Sequence, residues 1–506
     1  MSTTGSPRSE PADAGVAQAP DPHRWRVLAV CLTVGFVTML DVSIVNVAMP
    51  SIERSLDAGP AQLQLIVAGY TLAFGLVLVP AGRLGDAGGR RRLFVAGLVG
   101  FAVTSLGAGL APSDEWLALA RVLQGASAGL LNPQVVGLIQ QLFAGAERGR
   151  AFGLFGATIG VSTALGPLLG GLIISAAGPE NGWRWVFGIN VPIIAVLLPF
   201  AWRYVPRAHP DPSARQRPRR IDTVGLALLA LATATVMLPF VTTTGVDDDP
   251  QRWWWLAVAA LVLVLVALWE RGYQRRTGAA VLDPVVLGSP AFRRGALLAM
   301  AYFAGFTAIF LVVTLFLQND VGYTPLQAGL VGMPFALASG LSSWLSGRWV
   351  ARYGRRLVVV GLVLVLAGLV ATDLVVRAVG DDPATIGWSV ALAQLVTGAG
   401  SGLVIAPNQT LTLARVPVAR AGVAGSMLQV GQRVGAAIGI SAALSVYYAG
   451  KAAGAGGAAS TSSALLVTIA LVGVALVVAL VDLRARRARP EPEHARIDGR
   501  GAAPSA

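Results

Sequence analysis

The stretch Gly82–Arg92, GRLGDAGGRRR, returns in looser form as Gly347–Arg356, GRWVARYGRR, with Arg90 and Arg355 at equivalent positions. Each copy is a short basic turn between two long apolar segments. Such a turn is typical of a cytoplasmic hairpin between two membrane-spanning helices. The chain is therefore an internal duplication, and duplicated helical membrane domains are typical of transporters.

The composition also indicates an all-α integral membrane protein. Of the 506 residues, 55% are apolar and 13% are charged, and the mean hydropathy is +0.65, far from the average of soluble domains. A helix needs about 20 mainly apolar residues to cross the hydrocarbon core. The sequence predicts fourteen such spans, near 27–50, 61–81, 93–111, 116–141, 151–177, 184–203, 223–241, 253–270, 295–317, 327–347, 357–376, 386–413, 423–447 and 464–482.

The net charge of +13 is distributed unevenly along the chain. With the amino terminus in the cytoplasm, 32 of the 39 Lys and Arg residues fall in cytoplasmic segments and five fall outside, while Arg121 and Arg433 lie within spans. This asymmetry follows the positive-inside rule and predicts that both termini are cytoplasmic. The expected surrounding is a lipid bilayer, and no nucleic-acid partner is needed to explain the positive charge.

The lysine and histidine content excludes several classes of membrane protein. The phosphate-binding loop of an ATPase needs a lysine after its glycines, and the single lysine, Lys451, lies in a predicted outer loop. His23, His209 and His494 fall in tails or loops, which argues against haem ligation, a zinc site or a His-dependent triad within the bilayer. We therefore expect no cofactor and no enzymatic activity, and the proton-motive force is the energy source that the family resemblance described below implies.

Asp41 in the first span and Arg121 in the fourth are candidate proton-coupling residues. A charge at membrane depth costs roughly 2.5 to 3.5 kcal/mol on insertion scales, so each one is a functional hypothesis. A carboxyl group can bind and release a proton as its surroundings change, whereas an arginine keeps its charge. The hypothesis is that Asp41 carries the proton and Arg121 tunes it. The alternative is a fixed ion pair that only orients helices.

Polar and aromatic side chains in the other spans mark a candidate substrate cavity. Many of them recur at helical spacing, and polar faces turn inward because lipid offers no hydrogen-bond partners. Aromatic rings can stack on lipophilic or cationic substrates, although packing or lipid-facing roles are the alternative. The predicted cavity residues are Gln124, Asn132, Phe306, Phe310, Gln394, Ser401, Asn408, Gln429 and Arg433.

The fifth span contains the segment GVSTALGPLLGG. Its glycines Gly166, Gly170 and Gly171 allow close helix contact. Pro167 removes one backbone hydrogen bond. The pattern predicts a kinked, tightly packed helix suited to rocking motions.

Together these motifs resemble the major facilitator superfamily, and specifically its fourteen-helix drug:proton antiporter family, over residues 27–483. GRLGDAGGRRR resembles the loop 2–3 signature, and GPLLGG the helix 5 antiporter motif. LDVSIVNVAMP, LALARVLQGASAG and WRWVFGINVP resemble the motifs of helices 1, 4 and 6. Ala87 and Ser162 depart from the loop 2–3 and helix 5 patterns.

The resemblance implies two six-helix bundles that rock against each other in alternating access, driven by protons entering as substrate leaves. Asp86 and Arg90 are then the candidate latch, which we predict to be asymmetric because Ala351 stands at the position of Asp86 in the second copy. The expected parts are a disordered tail at 1–26, bundles at 27–203 and 293–483, linkers with helices 7 and 8 at 204–292, and a disordered tail at 484–506.

The favoured function is a monomeric, proton-coupled exporter of lipophilic small molecules in the bacterial cytoplasmic membrane. An uptake transporter of a metabolite on the same fold is the first alternative, against which the helix 5 motif and the inserted helix pair argue. A non-transporting membrane sensor is the second, but it leaves the charges within the spans unexplained.

Overall fold

A computed structural model describes residues 21–178, 180–207, 222–241, 249–277 and 284–487. Most of the two predicted tails, part of the linker after the sixth span and the loop between the inserted helices lie outside these ranges. The described residues form helices joined by short turns. Those of the first half are α1 (Arg24–Leu56), α2 (Pro60–Leu84), α3 (Arg90–Gly109), α4 (Asp114–Leu142), α5 (Gly145–Ala177), α6 (Gly182–Gly188) and α7 (Asn190–Tyr204).

In the first half, a π-helical turn at Gly85–Gly89 joins α2 to α3. The remaining helices form an inserted pair and the second half. The later helices are α8 (Thr223–Val241), α9 (Trp254–Thr277), α10 (Pro284–Gly288), α11 (Pro290–Leu315), α12 (Pro325–Tyr353), α13 (Arg355–Val379), α14 (Ile386–Leu413), α15 (Ala421–Ala452) and α16 (Gly457–Arg487).

Within the described ranges, twelve helical stretches are long and apolar enough to cross a membrane. The prediction of an all-helical membrane fold is confirmed, whereas the count of fourteen spans is not. The difference has two sources. The stretch Leu65–Gly109 runs from within α2 to the end of α3 and counts once. The helix α15, which carries Arg433, is not among the twelve.

Several helix boundaries differ from the sequence prediction. The helices α1 and α16 extend beyond the predicted spans, to Arg24 and Arg487, because the long stems of arginine side chains let a helix continue past the apolar core. The predicted sixth span is divided into α6 and α7 at Ile189. Pro192 has no N–H to offer the carbonyl of Gly188, which ends the first segment there.

The halves meet at what we call the basic end, the end of the bundle where Gly85–Gly89 and Gly354 lie. There α5 and α12 touch through glycines, because a Cβ atom on Gly347 would lie 2.6 Å from the carbonyl oxygen of Gly149 and 3.0 Å from Cα of Gly153. We call this contact the glycine seam. It brings the two backbones into contact, with the side chain of Val350 packed beside it against Gly149.

The inserted helices α8 and α9 pack on the outside of the bundle. A Cβ atom on Gly75 of α2 would lie 3.1 Å from the sulfur of Met237 on α8. The indole N–H of Trp269 on α9 donates to the carboxylate of Asp222, just before α8, at 2.9 Å. Large aliphatic side chains such as Leu261 remain 61% exposed, which suits a surface in contact with lipid.

A buried ion pair and a candidate latch between the halves

Asp41 and Arg121 form an ion pair inside the first half. Nη1 of Arg121 on α4 lies 2.6 Å from Oδ2 of Asp41 on α1, and the side chains are 2% and 0% exposed. Removing two charges from water is expensive, and only close geometry with further hydrogen bonds compensates for that cost. The pair therefore needs polar neighbours.

Three polar side chains supply the remaining hydrogen bonds. Gln124, one turn from Arg121, accepts from its guanidinium at 2.6 Å and donates to Oδ1 of Asp41 at 2.9 Å. Asn190, at the start of α7, donates to the same Oδ1 at 2.9 Å. Ser105 on α3 accepts from Gln124 at 2.7 Å. Residues of α4 and α7 thus contact the carboxylate of α1 directly, and α3 joins the network through Gln124 and Asn190.

Aromatic rings connect this network to α2 and the second half. The guanidinium carbon of Arg121 lies 4.3 Å from the ring centroid of Tyr70 on α2. One turn along α2, the ring of Phe74 lies 4.6 Å from the guanidinium carbon of Arg433 on α15. Such distances are typical of cation–π contacts. The two arginines within the predicted spans therefore border consecutive turns of α2.

Asp86 connects the halves at the basic end. Its Oδ1 accepts from Nη2 of Arg90 at 2.7 Å and from the backbone N–H of Gly422 at 2.9 Å, and its Oδ2 accepts from the N–H of Val423 at 2.9 Å. These two N–H groups belong to the first turn of α15, where a helix has unpaired donors and a partial positive charge. Arg90 is fixed in turn by the side chain of Gln141, at 2.7 Å.

The second copy of the basic turn has a different partner. Arg355, the equivalent of Arg90, donates through Nε to Oδ2 of Asp482 on α16 at 2.8 Å. Its Nη1 donates to Oδ1 of Asn408 on α14. Asp482 also lies 3.3 Å from Nη1 of Arg294. In this copy the arginine is neutralised by a carboxylate of its own half.

Two residues that we predicted for the substrate cavity, Gln124 and Asn408, belong to the two ion-pair networks. Asn408 is 3% exposed and donates to the carbonyl of Gly295 on α11 at 3.1 Å, so it joins α14 to α11 and α13. Gln124 is fully buried against Asp41. Both side chains use their hydrogen-bonding groups within these networks.

The other cavity candidates fall into separate groups. Phe306 and Phe310 pack edge to face at 5.3 Å between ring centroids. Phe335 of α12 lies 5.8 Å from the first ring, tilted, and 4.8 Å from the second, edge to face. Ser401 lies 3.5 Å from the hydroxyl of Ser339. Asn132 donates to its own helix at 3.3 Å, Gln394 is buried on α14, and Gln429 is partly buried one turn before Arg433.

The helix 5 motif packs against two neighbouring helices. A Cβ atom on Gly170 would lie 2.9 Å from the side chain of Ile44 on α1, while Gly166 faces Ser43. On the other side, Cβ of Pro167 lies 2.9 Å from where a Cβ of Gly329 on α12 would stand, and Gly171 faces Leu326 of that helix.

Sequence reasoning missed Asn190, Ser105 and Asp482. Asn190 lies inside WRWVFGINVP, and a polar residue two positions before a helix-breaking proline is a signal that could have identified it. Asp482 stands near the end of the last apolar run, where it resembled the start of the charged tail. Within the described ranges no group of three or more His, Cys, Asp or Glu side chains is placed to hold a metal ion.

Comparison with known proteins agrees with this geometry. The family model of the Major Facilitator Superfamily matches residues 31–270 and 295–505. The "Puromycin resistance protein pur8" of Streptomyces alboniger is 34% identical over 85% of this chain and 83% of its own length. The "Probable actinorhodin transporter" of Streptomyces coelicolor is 32% identical over 86% and 74%. The "Multidrug resistance protein Stp" of Mycobacterium tuberculosis is 30% identical over 80% and 72%.

Solved structures share the fold at low sequence identity. The human organic anion transporter MFSD10 superposes with a TM-score of 0.65 at 16% identity, covering 91% of this chain and 100% of its own. The proton:xylose symporter XylE superposes with a TM-score of 0.64 at 14% identity, covering 90% and 94%. The resemblance of the motifs is thus confirmed over most of the sequence, and the chain belongs to the Major Facilitator Superfamily.

Proposed function

We propose that the chain is a proton-coupled antiporter that exports lipophilic small molecules across the bacterial cytoplasmic membrane. The observation that carries the proposal is the buried pair of Asp41 and Arg121, with Gln124 and Asn190 on the same carboxylate. A titratable acid held at membrane depth beside a permanent cation is suited to proton relay. Relatives that are named for antibiotic resistance or transport support the direction of export.

The proposed topology has fourteen spans, with both termini and the basic end in the cytoplasm. Reading Leu65–Gly109 as two spans is supported by the turn between them, where Gly88 has a φ of 100°. Counting α15 as a span is supported by the position of Arg433, which faces Phe74 within the bundle and not lipid. The excess of arginines at the basic end supports the orientation.

Protonation of Asp41 would remove the charge that holds Arg121. Removing one partner of a buried pair costs about 3 to 5 kcal/mol. Changing the ratio of two conformations from 1:99 to 99:1 takes roughly 5.5 kcal/mol, so the two energies are comparable. The freed guanidinium borders Tyr70 on α2, and α2 leads to the Asp86 latch. The proton on Asp41 would therefore bias the contact between the halves at the basic end.

The energetics of one titrating site are sufficient for export. One proton moving down 100 mV releases about 2.3 kcal/mol. At about 1.4 kcal/mol per tenfold, this supports roughly a fifty-fold substrate gradient. A monomer with one coupling carboxylate is thus enough, and no cofactor is required.

The test begins with a panel of toxic compounds, puromycin among them, on cells with and without the protein. A compound that the protein excludes is then used in reconstituted vesicles with an imposed pH gradient. Asp41→Asn should abolish uphill transport while permitting downhill exchange, because asparagine keeps the shape and loses the proton. Asp222→Asn, a carboxylate of the inserted pair, is the matched control and should retain transport.

Two results would overturn the proposal. Proton-driven efflux at the wild-type rate from Asp41→Asn would place coupling elsewhere, with Asp373 as the next acid to substitute. Accumulation of the compound in energised cells would indicate an uptake transporter on the same fold.

A further inference from the structure

A groove of about 490 Å³ lies at the basic end, where the two halves meet. It is lined by Trp25 on α1, Arg150 and Leu154 on α5, and Trp344 and Arg348 on α12. The groove therefore takes walls from both halves, and neither half forms it alone.

The glycine seam runs beside this groove. A Cβ atom on Gly347 would lie 3.2 Å from Cα of Arg150, so Arg150 and Arg348 flank the closest approach of α5 and α12. Any motion that separates these two helices at the basic end would also separate the two arginines. The complete groove exists only when the basic end is closed.

The charge of the groove is not balanced by the protein. The structure pairs neither Arg150 nor Arg348 with a carboxylate among the residues it describes. The nearby acid Glu147 lies 3.0 Å from Arg24 and is thereby neutralised. The guanidinium carbon of Arg348 lies 3.9 Å from the ring centroid of Trp344, which fixes one cation over the groove. Two exposed cations, one from each half, thus line the same groove, and like charges so placed repel each other.

The groove changes from charged to apolar with depth. Arg150 lies near the start of α5 at Gly145, and Arg348 near the end of α12 at Tyr353. Leu154 and Trp344 each lie about one helical turn, roughly 5 to 6 Å, deeper in the bundle. A charged rim above an apolar wall matches the order of headgroup and acyl chain in a lipid, and tryptophan is enriched at that level of a membrane.

We propose that this groove binds an anionic phospholipid, with its phosphate between Arg150 and Arg348 and an acyl chain along Leu154 and Trp344. The bound headgroup replaces the repulsion between the two arginines by two attractive contacts. Because those arginines belong to different halves, the lipid stabilises the state in which the basic end is closed. A free phosphate ion can contact the two arginines of the rim but makes no apolar contact with Leu154 or Trp344.

The test measures lipid binding to the purified full chain in detergent by native mass spectrometry and by thermal unfolding. Phosphatidylglycerol should bind more tightly than phosphatidylcholine and raise the unfolding temperature more. At roughly a fivefold gain in affinity for each interfacial arginine, Arg150→Gln with Arg348→Gln should weaken phosphatidylglycerol binding roughly 30-fold. The charge-conserving pair Arg150→Lys with Arg348→Lys should retain most of the preference.

The matched control is Arg352→Gln with Arg356→Gln, which removes the same charge from the same end of the bundle outside the groove. It should leave phosphatidylglycerol binding near the wild-type level. Equal losses in the groove and control variants would reduce the effect to net charge and overturn the proposal. So would equal affinity for the two lipids, or equal stabilisation by inorganic phosphate alone.

Discussion

Oδ2 of Asp86 accepts a hydrogen bond from the backbone N–H of Val423 at 2.9 Å, although the two residues lie 337 positions apart in the chain. The bond joins the first basic turn to the first turn of α15, so it links the two halves directly. A carboxylate at a helix amino terminus is stabilised by the helix dipole as well as by the hydrogen bonds. Rocking of the halves at the basic end must break this contact.

Asp86→Asn should slow transport without preventing membrane insertion. The amide keeps the size of the carboxylate but loses the charge-assisted bonds to Arg90 and to the two N–H groups of α15, each worth about 1.5 to 3 kcal/mol. The closed state should lose at least tenfold in relative population. Transport in vesicles, with protein quantity measured in the same membranes, checks this expectation.

The second copy of the turn supplies a control for the latch. Ala351→Asp places a carboxylate at the equivalent position, but Arg355 already has Asp482 as its partner. Adding Ala351→Asp to Asp86→Asn should therefore not restore transport. Full rescue by that combination, or wild-type transport from Asp86→Asn alone, would remove the latch from the mechanism.

Asp482→Asn should destabilise the second half. It leaves Arg355 as a buried cation without its carboxylate, which costs about 3 to 5 kcal/mol. Thermal unfolding, followed by tryptophan fluorescence, should shift to lower temperature. Asp381→Asn changes an exposed aspartate in the turn after α13 and should unfold like the wild type. An unchanged unfolding temperature for Asp482→Asn would show that this ion pair contributes little.

Arg433→Gln should change which substrates are transported. Within the described residues Arg433 is paired with the ring of Phe74 and with no carboxylate, so it gives the region between the halves a positive charge. Its removal should lower the preference for anionic over cationic compounds, by roughly tenfold at the effective dielectric of a partly buried site. Competition between an anionic and a cationic dye measures the ratio, which an Arg433→Lys variant should preserve.

Gly347→Val should hold the basic end apart. The new side chain would collide with the backbone of α5 at Gly149 and Gly153, so the glycine seam cannot close. Spin labels on Ala146→Cys and Arg352→Cys, in a Cys31→Ala background, should report a longer distance than in the wild type. Gly332→Val is the control, because the space around Gly332 on the same helix is open.

Reporter fusions test the proposed orientation. A reporter after Arg207 should read cytoplasmic, and one after Asp249 should read external. The physical reason is the excess of arginine on one side, since cytoplasmic loops retain basic residues. A cytoplasmic reading at Asp249 would break the fourteen-span topology.

The helices could be located from the sequence because the bilayer demands long apolar runs. The predicted spans and the observed helices coincide within several residues. The break at Ile189 escaped prediction although its cause, Pro192, is local, since proline is often accommodated within membrane helices. The total number of spans depends on how the turn at Gly88 and the polar helix α15 are counted, which hydropathy alone does not decide.

The site was predictable only in part. Asp41, Arg121 and Asp86 stood out because a charge within or beside a membrane span has few explanations. Their partners did not stand out. The donors of Gly422 and Val423 are backbone groups with no side-chain signature, and the association of Asn408 with Arg355 depends on how α13 and α14 pack. Contacts between distant segments require the fold.

The glycine seam also bears on the speed of the transport cycle. Helices that interlock through large side chains must change rotamers before they part, and each such change adds to the activation barrier. Gly149 and Gly347 meet backbone to backbone, and the side chains beside them at this contact, Val350 and Ser343, are short, so few rotamers must change when α5 and α12 part. The seam therefore adds little to the barrier for separating the two halves, and the rate of opening depends mainly on breaking the hydrogen bonds of Asp86 at the same end.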